Sequence, residues 1–328
     1  MMKKFIINTI KFLFFASVFY VLGLFAFGYF LTPSFLKGNI NYKQGGYGHL
    51  YTRLKEAKTF QDVDLLFLGS SHTYRGFDNR IFTKGGYSSF NLGSSAQTSI
   101  QTNILLKRYL DLLHPKLVVY EVYPGTFSSD GVESSLDLMS NDSMDFSDLS
   151  MALEINNLKV YNTLFYDLLR EKLLTNTFVE DKNKELDTYI SGGFVSKEMK
   201  YNSSPHKYKN LSRSWELKDI QFSEFEKNLE MLKKANIHFI FVYAPVTSNL
   251  YESYKNNQEF DVKMNAYAEK YHTSYINFNG KLKLNDSLHF YDAHHLNQQG
   301  VEIFNTSFID SLKKIDLNSE FNDALDVI

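Results

Sequence analysis

The longest apolar stretch of the chain lies close to its N-terminus. Residues 12–31 are 20 consecutive uncharged and mostly apolar residues, and as a helix they would span ~30 Å, the thickness of the hydrocarbon layer of a bilayer. The stretch has no polar face, which argues against a helix buried in a soluble core. Lys3, Lys4 and Lys11 precede it, and positive charge tends to stay on the cytoplasmic side. We therefore expect residues 1–32 to be a cytoplasmic N-terminus and transmembrane signal-anchor, with the rest outside the cytoplasm, periplasmic or at the cell surface.

The alternative for this segment is a cleaved signal peptide, which would leave a secreted protein. Ala26-Phe27-Gly28 offers the small-x-small pattern of a cleavage site. The apolar stretch continues beyond it through Leu31, and this continuation favours an uncleaved anchor.

Beyond residue 60, short apolar runs alternate with helical patterns. Continuous apolar runs that end at Gly or Pro are typical of strands buried on both faces, and they predict strands over residues 64–68, 88–92, 116–123, 238–243 and 274–278. Apolar residues at helical spacing predict helices over residues 98–113, 223–235, 260–271 and 297–314. This alternation indicates an α/β fold with a parallel sheet. The carboxyl ends of such strands share one edge, where α/β sheets keep their sites.

The pattern breaks between residues 125 and 220. A connection of about 95 residues far exceeds the usual βα loop, so we expect an insertion of mixed helix and loop over the active edge, serving as a cap or docking surface. The remaining organisation is a stalk and lead-in helix over residues 33–60, a catalytic domain over 61–315 that contains the insertion, and a tail over 316–328.

Composition narrows the function classes. The 35 Lys and Arg residues nearly balance 37 Asp and Glu residues, whereas nucleic-acid-binding proteins usually show a basic excess. The chain has no cysteine, which excludes disulfides, thiolate metal sites and a cysteine nucleophile. We therefore expect no nucleic-acid partner and look for a site built from oxygen and imidazole groups.

Three segments carry residues suited to acyl transfer. Ser71 follows the first predicted strand in Gly69-Ser70-Ser71, and a serine at such a turn can present its hydroxyl at the sheet edge. Gly93 follows the second strand, where glycine lets a backbone N–H point at a bound oxygen. Asp292 and His295 precede the last helix, so the carboxylate can orient the imidazole. We expect His295 to accept the proton of Ser71.

These segments, in this order, resemble the SGNH (GDSL-like) esterase and acyltransferase superfamily over residues ~60–125 and ~220–312. The resemblance implies a flavodoxin-like three-layer α/β/α sandwich with a five-stranded parallel sheet. It also implies Ser71 as nucleophile, Asp292 and His295 as the rest of a triad, and the N–H groups of Ser71 and Gly93 as oxyanion donors. No metal and no organic cofactor is required, although His289, Asp292, His294 and His295 are an alternative set of metal ligands.

Two motifs of that superfamily are altered here. Gly-Asp-Ser-Leu is replaced by Gly69-Ser70-Ser71-His72, and Gly-x-Asn-Asp after the third strand is absent. The third oxyanion donor therefore stays open among Asn91, Gln97 and Tyr123. His72 and Arg75 are further substrate-binding candidates; the structural alternatives are packing or capping of the turn by His72 and an ion pair of Arg75 with Asp78.

The resemblance also bears on function. The Gly-Ser-Ser turn, the anchor and the exported orientation are similar to the branch that transfers acyl groups on cell-envelope polymers, commonly beside a multi-pass membrane acyltransferase. We expect serine-dependent acyl transfer or ester hydrolysis on an acylated glycan or small ester outside the cytoplasm. The alternative is a non-catalytic, membrane-anchored glycan-binding or assembly protein that retains the fold.

Overall fold

The computed structural model describes residues 1–30 and 38–318, with side chains up to residue 315. Its strands are β1 (Leu65–Leu68), β2 (Ser89–Asn91), β3 (Leu117–Glu121), β4 (Asn183–Lys184), β5 (Asp187–Ile190), β6 (Phe194–Lys197), β7 (His238–Tyr243) and β8 (Tyr275–Asn277). Its helices are α1 (Met2–Phe30), α2 (Leu50–Ala57), α3 (Ser71–Gly76), α4 (Asn79–Lys84), α5 (Ser99–Leu113), α6 (Pro124–Phe127), α7 (Val132–Asn141), α8 (Phe146–Ile155), α9 (Leu158–Leu173), α10 (Asp219–Lys234), α11 (Ser248–Glu252), α12 (Asn257–Lys270) and α13 (Gln298–Asn318).

The central sheet has five parallel strands in the order β2-β1-β3-β7-β8. These are the five strands that the apolar runs predict, each within two residues of its expected ends. The order is that of flavodoxin-like sheets, in which the first and third strands are neighbours. The predicted flavodoxin-like α/β fold with a five-stranded parallel sheet is therefore confirmed.

Helices cover both faces of this sheet. Leu66 and Leu68 of β1 belong to the core beneath α5, α10 and α12, whereas Leu65 and Phe67 belong to the core beneath α4 and α13. All four side chains are almost completely buried. Such strands read as continuous apolar runs because each face needs an apolar side chain, and the result is a three-layer sandwich.

The insertion differs from the expectation of helix and loop. It contains α6 to α9, and also a three-stranded antiparallel sheet of β4, β5 and β6. The turn between β5 and β6 contains Gly192 and Gly193, with φ of +91° and +96°. A Gly-Gly pair between two strands is a hairpin signal. Here only two residues on each side of the pair are apolar, and the polar residues Asp187, Thr188, Ser196 and Lys197 make both strands hard to recognise in the sequence.

The N-terminal apolar stretch forms one long helix, α1. Within the described residues it is the one helix long and apolar enough to cross a membrane, as an anchor or as a signal sequence. It packs against α9 of the insertion. At the other end of the chain, α13 continues to Asn318, past the expected start of the tail at residue 316, while residues 31–37 and 319–328 lie outside the described part.

Candidate active site

The turn after β1 holds Ser71 at the carboxyl edge of the sheet. Gly69 has φ of +142°, and a Cβ there would lie 2.5 Å from Thr73 Oγ1 and 2.7 Å from Glu121 Oε2. A side chain at this position would therefore collide with the buried base of the turn. Ser70 is the N-cap of α3, and Ser71 is the first residue of that helix.

Ser71, His295 and Asp292 form a continuous hydrogen-bonded chain. His295 Nε2 lies 2.8 Å from Ser71 Oγ, and His295 Nδ1 lies 3.0 Å from each carboxylate oxygen of Asp292. If Nδ1–H donates to the carboxylate, Nε2 is left to accept the hydroxyl proton. The fold thus brings together a hydroxyl and an imidazole that are 224 residues apart in the chain.

The loop before α13 holds Asp292 and His295 together through local hydrogen bonds. Asp292 Oδ1 accepts hydrogen bonds from the backbone N–H groups of His294 and His295, each at 2.8 Å. Burial alone would raise the pKa of Asp292, but its hydrogen bond to His295, the charge of that imidazole and the two N–H donors hold the pKa well below its usual value. Asp292 therefore stays a carboxylate that can orient the imidazole and stabilise its protonated form.

These groups open into a cavity of about 330 Å³. It is lined by Ser70, Ser71, His72, Ser95, Ala96, Tyr123, Gly125, Thr126, Ser129, Glu133, His294 and His295. Gly125 to Glu133 belong to the insertion, which thus forms one wall of the cavity. Glu133 and Ser95, absent from the residues singled out in the sequence, contact each other there, with Ser95 Oγ donating to Glu133 Oε1 at 3.3 Å.

Gly93 is not the second oxyanion donor that the sequence predicts. Its N–H donates to Asn91 Oδ1 at 3.0 Å, and a Cβ on Gly93 would lie 2.8 Å from Thr73 Cβ. Gly93 therefore allows the β2–α5 loop to pack closely against the turn after β1. The cavity is instead lined by Ala96, whose φ is +49°. Among the described residues, no acceptor contacts the N–H of Ala96 or Ser71.

Of the three candidates for a third oxyanion donor, Asn91, Gln97 and Tyr123, only Tyr123 lines the cavity. Asn91 Nδ2 donates to the Thr73 carbonyl at 2.9 Å, and Gln97 Nε2 donates to Thr102 Oγ1 at 2.9 Å. Both side chains are buried and are absent from the cavity wall, so these two predictions are corrected. Tyr123 does line the cavity, with its hydroxyl 3.3 Å from His294 Nδ1.

Arg75 is not placed to bind an anionic substrate, and it does not pair with Asp78. Its guanidinium binds both oxygens of Asp187 on β5, at 3.0 and 2.6 Å. Asp78 instead binds Arg80. Both predictions for Arg75 were wrong because the sequence does not reveal the small sheet, whose strand β5 brings Asp187 next to α3.

His72 and His294 lie beside His295 in the cavity wall. His72 is buried, with Nδ1 2.9 Å from Ser70 Oγ and its ring stacked at 5.3 Å on that of His295. Burial, followed by the charge of His295, lowers the pKa of His294 to about 4 and that of His72 well below its usual value. Both imidazoles are therefore neutral near pH 7. The ring of His72 contacts Ser70 and that of His294 contacts Tyr123, so His295 is the imidazole that binds the Asp292 carboxylate.

Glu121 is a residue of the site that sequence reasoning missed. Its Oε2 accepts hydrogen bonds from Ser70 N–H at 3.2 Å and Ser70 Oγ at 3.0 Å. Burial raises the pKa of Glu121 to about 7, against the lowering effect of hydrogen bonds from Ser70 and Thr73. The sequence feature that could have identified Glu121 is that it is the single charged residue in the otherwise apolar run that forms β3.

The alternative reading of the four residues around position 292 as metal ligands has no geometric support. His289 Nδ1 accepts a hydrogen bond from Asn285 N–H at 2.9 Å, while His295 is bound to Asp292. In residues 1–30 and 38–318, no group of three or more His, Asp and Glu side chains is arranged to hold a metal ion.

Among known proteins, this chain is similar to several solved structures. No protein-family model and no curated protein matches the sequence. A protein from Bacteroides fragilis named an acylhydrolase is 12% identical, with a TM-score of 0.43, over 84% of this chain and 99% of its own. A GDSL-like lipase from Bacteroides thetaiotaomicron is 14% identical, with a TM-score of 0.41, over 81% and 98% of the two chains. A protein from Parabacteroides merdae named a GDSL-like lipase is 12% identical, with a TM-score of 0.38, over 77% and 97%.

Proposed function

We propose that this chain is a serine-dependent esterase or acyltransferase of the SGNH (GDSL-like) kind. The observation that carries the proposal is the hydrogen-bonded chain from Ser71 Oγ through His295 to Asp292, open to a cavity. A nucleophile in contact with a base, which is in turn oriented by a carboxylate, is the recurring arrangement of acyl-transfer enzymes on unrelated folds.

The proposed reaction has two steps. Ser71 Oγ attacks the carbonyl carbon of an ester while its proton passes to His295 Nε2, and Asp292 stabilises the imidazolium. The C–O bond to the alcohol then breaks, and His295 returns the proton to the leaving oxygen. In the second step water or a sugar hydroxyl attacks the acyl-enzyme, gives its proton to His295, and Ser71 is regenerated with that proton.

The backbone N–H groups of Ser71 and Ala96 are the proposed oxyanion donors. Both residues line the cavity and neither N–H has an acceptor among the described residues. Donors aimed at the developing oxyanion are each worth ~10²–10³ in rate. Ala96 replaces Gly93 in this role because the N–H of Gly93 is already bound to Asn91.

The proposed substrates are O-acyl groups on cell-envelope glycans outside the cytoplasm. The support is α1, with lysines at its start and the catalytic domain after it. A membrane-anchored site of this kind suits acyl exchange with a multi-pass membrane acyltransferase, which we propose as a partner.

Turnover of p-nitrophenyl acetate by the full-length protein tests the reaction class. Ser71→Ala removes the nucleophile, so we expect kcat/KM to fall by about 10⁴-fold or more. Ser70→Ala is the matched control, because Ser70 Oγ contacts Glu121 and His72 rather than His295; it loosens the turn but leaves the Ser71 hydroxyl in place, so it should lose far less activity than Ser71→Ala. Wild-type turnover in Ser71→Ala would contradict the proposal.

Hydrolysis and transfer differ in the group that accepts the acetyl group, which is water in the first and a sugar hydroxyl in the second, so adding an oligosaccharide distinguishes them. If the chain is a hydrolase, acetate release from p-nitrophenyl acetate should be fast and indifferent to added oligosaccharide. If it is a transferase, release should be slow and an acetylated sugar should appear as oligosaccharide is added. Acetyl transfer that persists in Ser71→Ala would exclude the proposed acyl-enzyme.

A further inference from the structure

Helix α9 exposes a line of large apolar side chains. Leu158, Phe165 and Leu168 are 63%, 40% and 39% exposed, and their spacing places them on one face of the helix. Lys172 follows on the same face, one turn after Leu168. We call these four residues the α9 stripe. Single exposed apolar residues are ordinary, but an apolar line along one helix marks an interaction surface.

The transmembrane helix candidate packs directly beside this stripe. The Tyr20 hydroxyl donates to Asn162 Oδ1 at 2.8 Å, and the ring of Phe25 lies 5.7 Å from that of Tyr166. Gly28 lies so close that a Cβ there would be 2.5 Å from the Tyr166 ring. Asn162 and Tyr166 lie next to the stripe around the helix axis, so α1 and the stripe form one continuous apolar surface.

These contacts fix the depth of α9 relative to a membrane that α1 spans. Phe25 and Gly28 lie in the half of the apolar stretch that is farther from Lys3, Lys4 and Lys11, whereas Tyr20 lies close to its middle. At 1.5 Å per residue, ten residues of α1 cover ~15 Å, half of the hydrocarbon thickness. The part of α9 around Tyr166, which contacts Phe25 and Gly28, therefore lies at the level of the outer leaflet, and Asn162, which contacts Tyr20, lies near the midplane.

We propose that Phe165 and Leu168 of the α9 stripe are immersed in the outer leaflet of the membrane that α1 spans, so that lipid is the partner of this surface. The polar side chains of α9 are compatible with this placement. Asp167 is 1% exposed, and Arg170 donates to Gln44 on the protein side. Lys172 has a long apolar stem that lets its ammonium reach the headgroups. The catalytic domain is then held against the lipid surface by two helices, α1 and α9.

The absence of cysteine from the chain makes a direct test practical. Single variants Phe165→Cys and Leu168→Cys, labelled with the fluorophore NBD, are reconstituted as full-length protein in vesicles of phosphatidylcholine and phosphatidylglycerol. Phe19→Cys on α1 serves as the lipid-exposed reference, and Val262→Cys on α12, 62% exposed, as the water-exposed reference. Far-UV circular dichroism of each variant checks that the fold is retained.

Quenching by doxyl-labelled phosphatidylcholine and by iodide reports the surroundings of each probe. We expect the probes at 165 and 168 to lose most of their fluorescence to the doxyl lipid and little to iodide, as at position 19, with the reverse at position 262. Quenching by iodide alone would show a stripe in water and overturn the proposal. Protection from both quenchers would also overturn it, because the surface would then be covered by protein, either a second copy or another partner.

Discussion

At the scale of single residues, the turn that presents Ser71 is held from below by a buried carboxylate. The Glu121 side chain accepts hydrogen bonds from both the N–H and the hydroxyl of Ser70, and its other oxygen, Oε1, is buried without a hydrogen-bond partner among the described residues. A buried carboxylate with few donors favours its protonated form, as the raised pKa of about 7 reflects.

This ionisation predicts a pH dependence of stability. Because the folded-state pKa lies above that of an unfolded glutamate, Glu121 contributes stability that is fully present below about pH 4.5 and is lost as pH rises through about 7. The loss is on the order of 3 kcal/mol. Glu121→Gln cannot ionise, so we expect its unfolding free energy to fall less than that of the wild type between pH 5 and pH 8.

Urea unfolding of the detergent-solubilised protein at the two pH values measures this difference. Glu216→Gln, at an exposed position, is the control for removing one carboxylate and should keep the wild-type pH dependence. An unchanged pH dependence in Glu121→Gln would mean that Glu121 does not change its protonation state between those pH values.

At the scale of elements, a buried arginine joins the lead-in helix to the site. Arg53 of α2 is fully buried, and its guanidinium donates to the carbonyl oxygens of Gly193, Gly93 and Gly48 at 2.9, 2.8 and 2.7 Å. These carbonyls belong to the small sheet of the insertion, the β2–α5 loop and the segment before α2. One side chain thus holds together segments far apart in sequence, including the loop that carries Ala96.

Removing this arginine should destabilise the domain strongly. Arg53→Met would leave three carbonyl groups without their donor, and we expect a loss of about 3–5 kcal/mol in unfolding free energy. Lys55→Met on the exposed side of the same helix should change it by less than about 0.5 kcal/mol. Chemical denaturation of the two variants measures both changes in unfolding free energy. Equally small losses in the two variants would show that the hydrogen bonds of Arg53 to the three carbonyl groups do not stabilise the domain.

At the scale of the whole molecule, the sheet could be predicted from the sequence, whereas much of the site's surroundings could not. Buried parallel strands and their helices leave strong periodic signals, and the short spacing of Asp292 and His295 makes their pairing a local matter. Arg53 reads as an ordinary helix surface charge, because its burial depends on carbonyls brought by distant segments. Ala96 carries no signal at all, since alanine does not favour the positive φ that it adopts here.

The same limit explains the wrong predictions for Gly93 and Arg75. Gly93 has the residue type of an oxyanion donor, but which N–H is free depends on the position of the Asn91 side chain. Arg75 has an acid nearby in sequence, but folding brings Asp187 closer than Asp78. Sequence reasoning identifies groups capable of the chemistry, and the tertiary contacts decide which of them are available for it.

The most direct test of the central claim is the position of a covalent adduct. Full-length protein is incubated with a fluorophosphonate, digested, and analysed by peptide mass spectrometry that distinguishes Ser70 from Ser71. We predict an adduct on Ser71 that persists in Ser70→Ala, disappears in Ser71→Ala, and forms much more slowly in Asp292→Asn, where His295 loses its carboxylate partner. An adduct on Ser70, or none on a folded protein, would contradict the assignment of Ser71 as an activated nucleophile.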